Sequence, residues 1–193
     1  MRKVRQMERP YTAEDLAEMP DDGRRYEVLG GELIVSPAPS TRHQWVSVEL
    51  TAQIRSFARR KQLGLVFSAP LDVRLGRHDI VQPDIVFILN EHLHILQAWE
   101  IEGSPDLLVE IVSPSSRLND RIRKSAIYAD QGVPEYWIVD LDTRTILTQQ
   151  LVSGEYVTIP MSEGSVTSRV LSGLSIDPRD VFAFPDRLAN FEE

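Results

Sequence analysis

The sequence predicts a mixed α/β domain, an α+β arrangement in which helices flank a mixed sheet, and three observations carry that prediction. Short strand-like segments alternate with two long helical stretches along the chain, an order that builds mixed sheets covered by helices. Near the N-terminus Gly30-Gly31 joins two alternating segments, the mark of a two-residue β-hairpin. Residues 106–112 form a dense apolar run of the kind found in a strand covered on both faces.

The elements follow in order. Residues 1–10 are charged and aperiodic and are expected to form a loose tail, leaving 11–193 as a single domain. Thr12 with Asp15, then Leu16 and Met19, reads as an N-capped short helix over 13–19 that stops near Pro20. Asp21, Asp22 and Gly23 make a turn, and the hairpin runs through 26–35 to a break at Ser36-Pro37-Ala38-Pro39-Ser40. Over 42–62 Val46, Leu50, Ile54 and Phe57 recur at helical spacing, with Gly64 as the stop. Strands are expected at 65–68, 71–75 and 84–89, and 90–104 reads as a loop with a helical turn. The strand 106–112 ends at Ser113-Pro114-Ser115-Ser116. Residues 117–131 then read as a helix with a core face of Ile122, Ala126 and Ala129. Strand-like segments at 135–140, 145–151 and 156–159 suit a strand followed by a hairpin-rich meander.

Composition removes several function classes. Cysteine is absent, so disulfides and thiolate metal sites are excluded. Apolar runs reach only about seven residues, too short to span a bilayer. No apolar stretch follows Arg2, Lys3 and Arg5, so no secretory signal is expected and a cytoplasmic location is. No phosphate-binding glycine loop or Gly-x-Ser-x-Gly motif occurs, and His92-x-His94 alone is a weak zinc signal. Lysine and arginine number 21 against 29 acids, for a net charge of -8, which disfavours general coating of nucleic acid. Two local basic clusters remain: Arg55, Arg59, Arg60 and Lys61, and Arg117, Arg121, Arg123 and Lys124.

Glu110 is the strongest chemical signal. Alternation places Leu108, Glu110 and Val112 on one face of their strand and Leu107, Val109 and Ile111 on the other. A carboxylate on an apolar strand loses its hydration, so it must find a cation or take up a proton. Asp84 follows Pro83 and opens the apolar run 85–89, where by itself it reads as an ordinary turn residue; together with Glu110 on a neighbouring strand, it makes a pair of carboxylates that calls for a cation between them. Mg²⁺ suits such a pair, since it takes one or two carboxylates and completes its shell with water and phosphate oxygens. Lys124 shares a helix face with Tyr128 and offers an ammonium to the same site; the alternative is an ordinary pair with Asp120. In the hairpin a two-residue turn pairs Leu29 with Glu32 and Glu27 with Ile34, so Glu27 and Glu32 share a face. Glu27 is the better ligand candidate, Glu32 the more solvated; Glu49 and His43 are weaker additions, His43 as a proton carrier.

The succession Tyr26-Glu27, Gly31-Glu32-Leu33, His43, Gln82-Pro83-Asp84, Pro105-Asp106-Leu107, Glu110-Ile111-Val112-Ser113-Pro114, Lys124, Tyr128 and Gly132-Val133-Pro134-Glu135-Tyr136-Trp137 resembles the Uma2 (Uma-two) family. These are restriction-endonuclease-like proteins of the PD-(D/E)XK nuclease superfamily, and the likeness spans most of the chain. It implies a restriction-endonuclease-like core with flanking helices and an N-terminal hairpin. It also implies a Mg²⁺-dependent DNA endonuclease, Mn²⁺ being an alternative ion. Pro83-Asp84 looks like the "PD", Glu110 like the "D/E", and Glu27 like the family's hairpin glutamate. The pattern asks for lysine two residues after the acid, where this chain has Val112; a migrated Lys124 is the expected substitute.

The expectation is therefore a catalytic group of Asp84, Glu110 and Lys124, with Asp84, Glu110 and Glu27 on the metal. DNA would be the substrate and a homodimer the working form, since cutting both strands uses two sites; no membrane is involved. Two rivals remain: a non-cleaving nuclease-fold protein that binds nucleic acid or protein, and a structural protein whose carboxylates form buried ion pairs.

Overall fold

Both central residues of the Gly30-Gly31 turn have positive φ, 57° and 79°, which is why glycine occupies both. The computed structural model, which describes residues 9–112 and 118–185, thus begins its first sheet with the expected hairpin. Strands β1 (Arg25–Leu29) and β2 (Glu32–Ser36) pair in the expected register, Glu27 opposite Ile34 and Leu29 opposite Glu32. Ahead of them lies the short helix α1 (Ala13–Leu16), closed by a Thr12–Asp15 capping box and tied to Arg9 through Asp15.

Helix α2 (Thr41–Lys61) starts on Ser40, whose side chain accepts from the His43 N–H. It buries Val46, Leu50, Ile54 and Phe57, the stripe anticipated from their spacing, and ends on a left-handed Gln62. Gly64 then belongs to the next strand and not to the cap. A Cβ there would stand 2.0 Å from the Ile88 carbonyl oxygen, so close pairing with the strand at Ile85–Leu89 requires glycine.

Strands β3 (Gly64–Ser68), β4 (Asp72–Gly76), β5 (Asp79–Val81), β6 (Ile85–Leu89), β7 (Glu100–Glu102), β8 (Leu107–Val112), β9 (Glu135–Asp140), β10 (Thr145–Val152) and β11 (Glu155–Thr158) complete two sheets. One runs β2-β1-β5-β4-β7, the other β11-β10-β9-β8-β6-β3, and β12 (Val166–Thr167) pairs with β13 (Ser175–Ile176) as a small ribbon. Only β4–β7 and β8–β9 pair in parallel among these ladders, so both large sheets are mixed. The sequence reading expected one mixed sheet and left 90–104 as a loop with a helical turn. The turn is present as a 3₁₀ segment over Asn90–Ile95, but β7 follows it, and β5 lies where no strand was expected. Both strands have three residues, too short to leave a periodic signature.

The cores follow strand alternation. Leu107, Val109 and Ile111 join Phe87, Trp137 and Val139 against α2. Leu108 and Val112 join Val86, Ile88 and Tyr136 against Leu29, Val73, Val81 and Ile101 of the other sheet. All six residues of β8 are buried, as the apolar run required.

Helix α3 (Leu118–Asp130) corrects one expectation. Its inward face carries Lys124 and Tyr128, both buried, whereas Ile122 is 60% exposed and Ala126 also faces out. Lys124 and Tyr128 are drawn in by acidic partners on the two sheets. The residues that close α4 (Pro178–Val181) and β12–β13 onto α2 gather around Glu135, whose carboxylate has no access to water. It accepts from Trp137 Nε1 (2.6 Å), Ser168 Oγ (3.1 Å) and the Arg169 and Val170 amides (2.8 Å each).

Candidate active site

The four residues singled out from the sequence meet at one buried polar cluster between the two sheets. Glu27 comes from β1, Asp84 from the residue before β6, Glu110 from the middle of β8 and Lys124 from α3. Their side chains are 4%, 2%, 7% and 10% exposed, so all four charges have given up most of their hydration.

Lys124 is the hub. Its Nζ donates to Glu27 Oε1 at 2.8 Å and to Glu110 Oε1 at 2.9 Å, linking the first sheet, the second sheet and α3. Tyr128, one turn further on, donates its hydroxyl to the same Glu110 oxygen at 2.6 Å. The Gln82 amide adds 2.8 Å to Glu27 Oε1. Thus Oε1 of each glutamate takes all these bonds, and neither Oε2 has a hydrogen-bond partner among the described residues. Asp84 differs. Its Oδ1 accepts from Arg25 Nη2 at 2.9 Å, and its Oδ2 accepts the Ile111 amide at 2.7 Å with His43 Nε2 at 3.2 Å.

Burial opposes ionisation of Asp84, yet bonding to His43, that ring's charge when protonated, Arg25 and the Ile111 amide outweigh it and hold its carboxyl down at about 2. Burial dominates at Glu110 and pushes its carboxyl up, Lys124 opposing while the charges of Glu27 and Asp84 reinforce. Burial also works against the Lys124 ammonium, but two carboxylates share it, and the ammonium is held well above its ordinary value. The asymmetry is physical: one cation serves two acids, so the cation is over-compensated and Glu110 under-compensated. Burial, then the neighbouring Glu110, lift the Tyr128 phenol as well, so it remains a donor.

The donor chemistry suits a hard divalent ion: the acids offer carboxylate oxygens, and two of the three keep an oxygen with no hydrogen-bond partner among the described residues. As they stand, no three His, Asp or Glu side chains among the described residues are grouped to hold a metal ion. Arg25, His43 and Lys124 hold the acids instead.

Other sequence candidates lie elsewhere. Glu32 is 65% exposed and pairs with Arg123, which also donates to the Leu29 carbonyl. His43 reaches the cluster through Asp84, and its Nδ1 is buried without a partner among the described residues. Glu49, His78, His92 and His94 take no part in it; His92 pairs with Asp106 at 2.8 Å. Arg55, Arg59, Arg60 and Lys61 are exposed on α2, with Arg59 about 24 Å along the helix from His43 at 1.5 Å per residue. In the second basic cluster Arg123 and Lys124 are spent on internal partners; Arg117, and the side chains of Asp120 and Arg121, lie outside the described residues. Sequence reasoning missed Arg25. Its signal was parity, because 25, 27 and 29 share one face of β1 and Glu27 already pointed inward.

A crystal structure of a "putative nuclease" from Anabaena variabilis shares the fold, with a TM-score of 0.74, 21% identity and coverage of 90% of this chain and 98% of that one. The family follows from the sequence: the chain belongs to the Uma2 family, described as "putative restriction endonuclease", whose profile matches residues 13–179. No curated protein matches the chain. The membership supports a nuclease-like function and, with it, nucleic-acid binding. No helix among the described residues is long and apolar enough to cross a membrane.

Proposed function

We propose that this protein is a Mg²⁺-dependent DNA endonuclease, Mn²⁺ serving as well, in which Asp84, Glu110 and Glu27 hold the ion and Lys124 assists attack on the phosphodiester. The observation that carries the reading is the position of Lys124 Nζ, 2.9 Å from Glu110 and 2.8 Å from Glu27. The cation missing at Val112 is delivered to the same acid from α3. When bound, a divalent ion would supply Lewis acidity and a more acidic water.

The chain's own residues do the rest. Lys124 stays protonated beside two carboxylates, so it acts as a fixed positive charge that orients water and stabilises negative charge on the phosphate, and not as a base. Tyr128 fixes the orientation of Glu110, which would be one of the residues to hold the ion, by donating to its Oε1. The Ile111 amide fixes Asp84 to β8, which sets the distance between the two acids. A homodimer would present two such sites, one per strand of a duplex.

A plasmid cleavage assay with Mg²⁺, Mn²⁺ and EDTA tests this, run on wild type, Asp84→Asn and Glu110→Gln proteins shown to be folded by circular dichroism. Wild type should nick or linearise the plasmid only with metal, and each variant should lose at least about 10²-fold in rate. Undiminished cleavage by both variants rejects the assignment.

One observation favours a second reading, a nuclease-fold module that binds nucleic acid without cutting it. Every acid of the cluster is already matched by a protein cation or histidine, as in a structure that needs no metal. Duplex binding by a folded protein that takes up neither Mg²⁺ nor Mn²⁺ in calorimetry would establish it.

A further inference from the structure

We propose that Arg25 is a displaceable counter-cation: it holds Asp84 in the metal-free protein, releases it when a divalent ion binds, and then grips a backbone phosphate of the substrate. This rests on the metal-site reading above and adds a residue to it.

The three carboxylates are not equally ready for an ion. Among the described residues Glu27 and Glu110 each keep Oε2 without a hydrogen-bond partner, whereas both oxygens of Asp84 are taken, by Arg25 at Oδ1 and by Ile111 N–H and His43 at Oδ2. Asp84 therefore has to share or shed a partner to become a ligand. The Ile111 amide is fixed in β8 and carries no net charge, so it tolerates an ion on the same carboxylate. Arg25 does not. Its guanidinium is a full charge 2.9 Å from Oδ1, and like charges ~4 Å apart in a buried site repel strongly enough to shift a binding equilibrium by orders of magnitude.

Arg25 is also the cation able to leave. Its side chain is 19% exposed and pairs with one acid, whereas Lys124 is 10% exposed and bonded to two. Charge balance gives it a destination. Three carboxylates face Arg25 and Lys124; a divalent ion leaves positive charge in excess, and a phosphodiester restores the balance. A guanidinium fork matches two phosphate oxygens in a way an ammonium does not.

The test is Mn²⁺ calorimetry on the full chain without DNA, for wild type, Arg25→Gln, Arg25→Lys and Glu110→Gln. Arg25→Gln should bind Mn²⁺ about tenfold more tightly or better, because a competing charge is gone. A second readout is duplex binding by fluorescence anisotropy, taken at once after mixing, with Mn²⁺ and with EDTA. The gain in duplex affinity on adding Mn²⁺ should be smaller in Arg25→Gln than in wild type. Tighter metal with a smaller duplex gain is a combination that loss of a purely structural ion pair does not produce. Mn²⁺ affinity in Arg25→Gln equal to or below that of wild type overturns the proposal. If that happens while Glu110→Gln abolishes Mn²⁺ binding, only this inference falls. If wild type and Arg25→Gln both fail to bind Mn²⁺, the metal site itself is refuted and the inference with it. Should Arg25→Gln not fold, Arg25→Lys carries the test: its shorter reach loosens the pair, so Mn²⁺ binds more tightly than to wild type, and equal affinity counts against the proposal.

Discussion

Asp84 is nearly sealed from water and yet remains ionised, its carboxyl held at about 2 against an ordinary 3.8. A carboxyl whose folded value is depressed binds its proton more weakly in the native state. Its contribution, on the order of 2 kcal/mol, is therefore present above about pH 4 and lost as pH falls through about 2. Glu110 has the opposite sign: its carboxyl is raised above the ordinary 4.5, so it erodes stability as pH climbs above that value. Thermal melting between pH 2 and 5 should show wild-type Tm falling steeply on the acid side. Asp84→Asn should be less stable near pH 5 and lose much of that slope, and an unaltered slope would contradict the assignment. At this scale the sequence announced that Glu110 and Asp84 needed compensation. It did not name Arg25 and His43 as the partners of Asp84, because both lie far from it in the chain and meet it only through packing.

Among the elements, β8 and α2 were legible because their burial is periodic and long, and long patterns outlast local exceptions. Helix α3 was legible as a helix but not in orientation. Ile122 and Ala126 point outward, and a lysine and a tyrosine point in because Glu27 and Glu110 wait there. Pattern reading assumes that polar side chains face water, and a buried ion pair breaks that assumption. The segment after β11 has little pattern of its own and is fastened by Glu135, which accepts four bonds at the start of β9. Glu135→Gln turns an acceptor-only group into one that presents a donor to donors. We expect a loss of about 1.5–3 kcal/mol, the range for hydrogen bonds to a charged group. Hydrogen exchange should also show faster exchange at the Arg169 and Val170 amides, while protection unchanged at both amides would show that the carboxylate does not fasten this segment.

For the whole molecule, Lys124 joins two sheets and a helix through one ammonium. Removing it leaves Glu27 and Glu110 facing each other without a cation, so Lys124→Met should cost about 3–5 kcal/mol in urea unfolding. The double variant Lys124→Met with Glu110→Gln should lose less than the sum of the single losses, because the second change removes one of the stranded charges. Simple additivity would mean that the two side chains are not coupled in solution. One mixed sheet was expected and two were found because the first sheet is completed by the three-residue strands β5 and β7, whose identity depends on the neighbours they pair with and not on their own composition.

By itself the sequence determined the α+β class, the hairpin register, the long helix and the two-faced strand β8, all of which follow from local dihedral preference and apolar periodicity. It also determined that Glu110 stands where a carboxylate needs a cation. Only the tertiary structure decided which cation it meets. Lys124 reaches Glu110 through an inward turn of α3, and Arg25 and His43 occupy Asp84. Such choices are settled by desolvation and Coulomb attraction between groups distant in the chain, and no local pattern in the sequence records them.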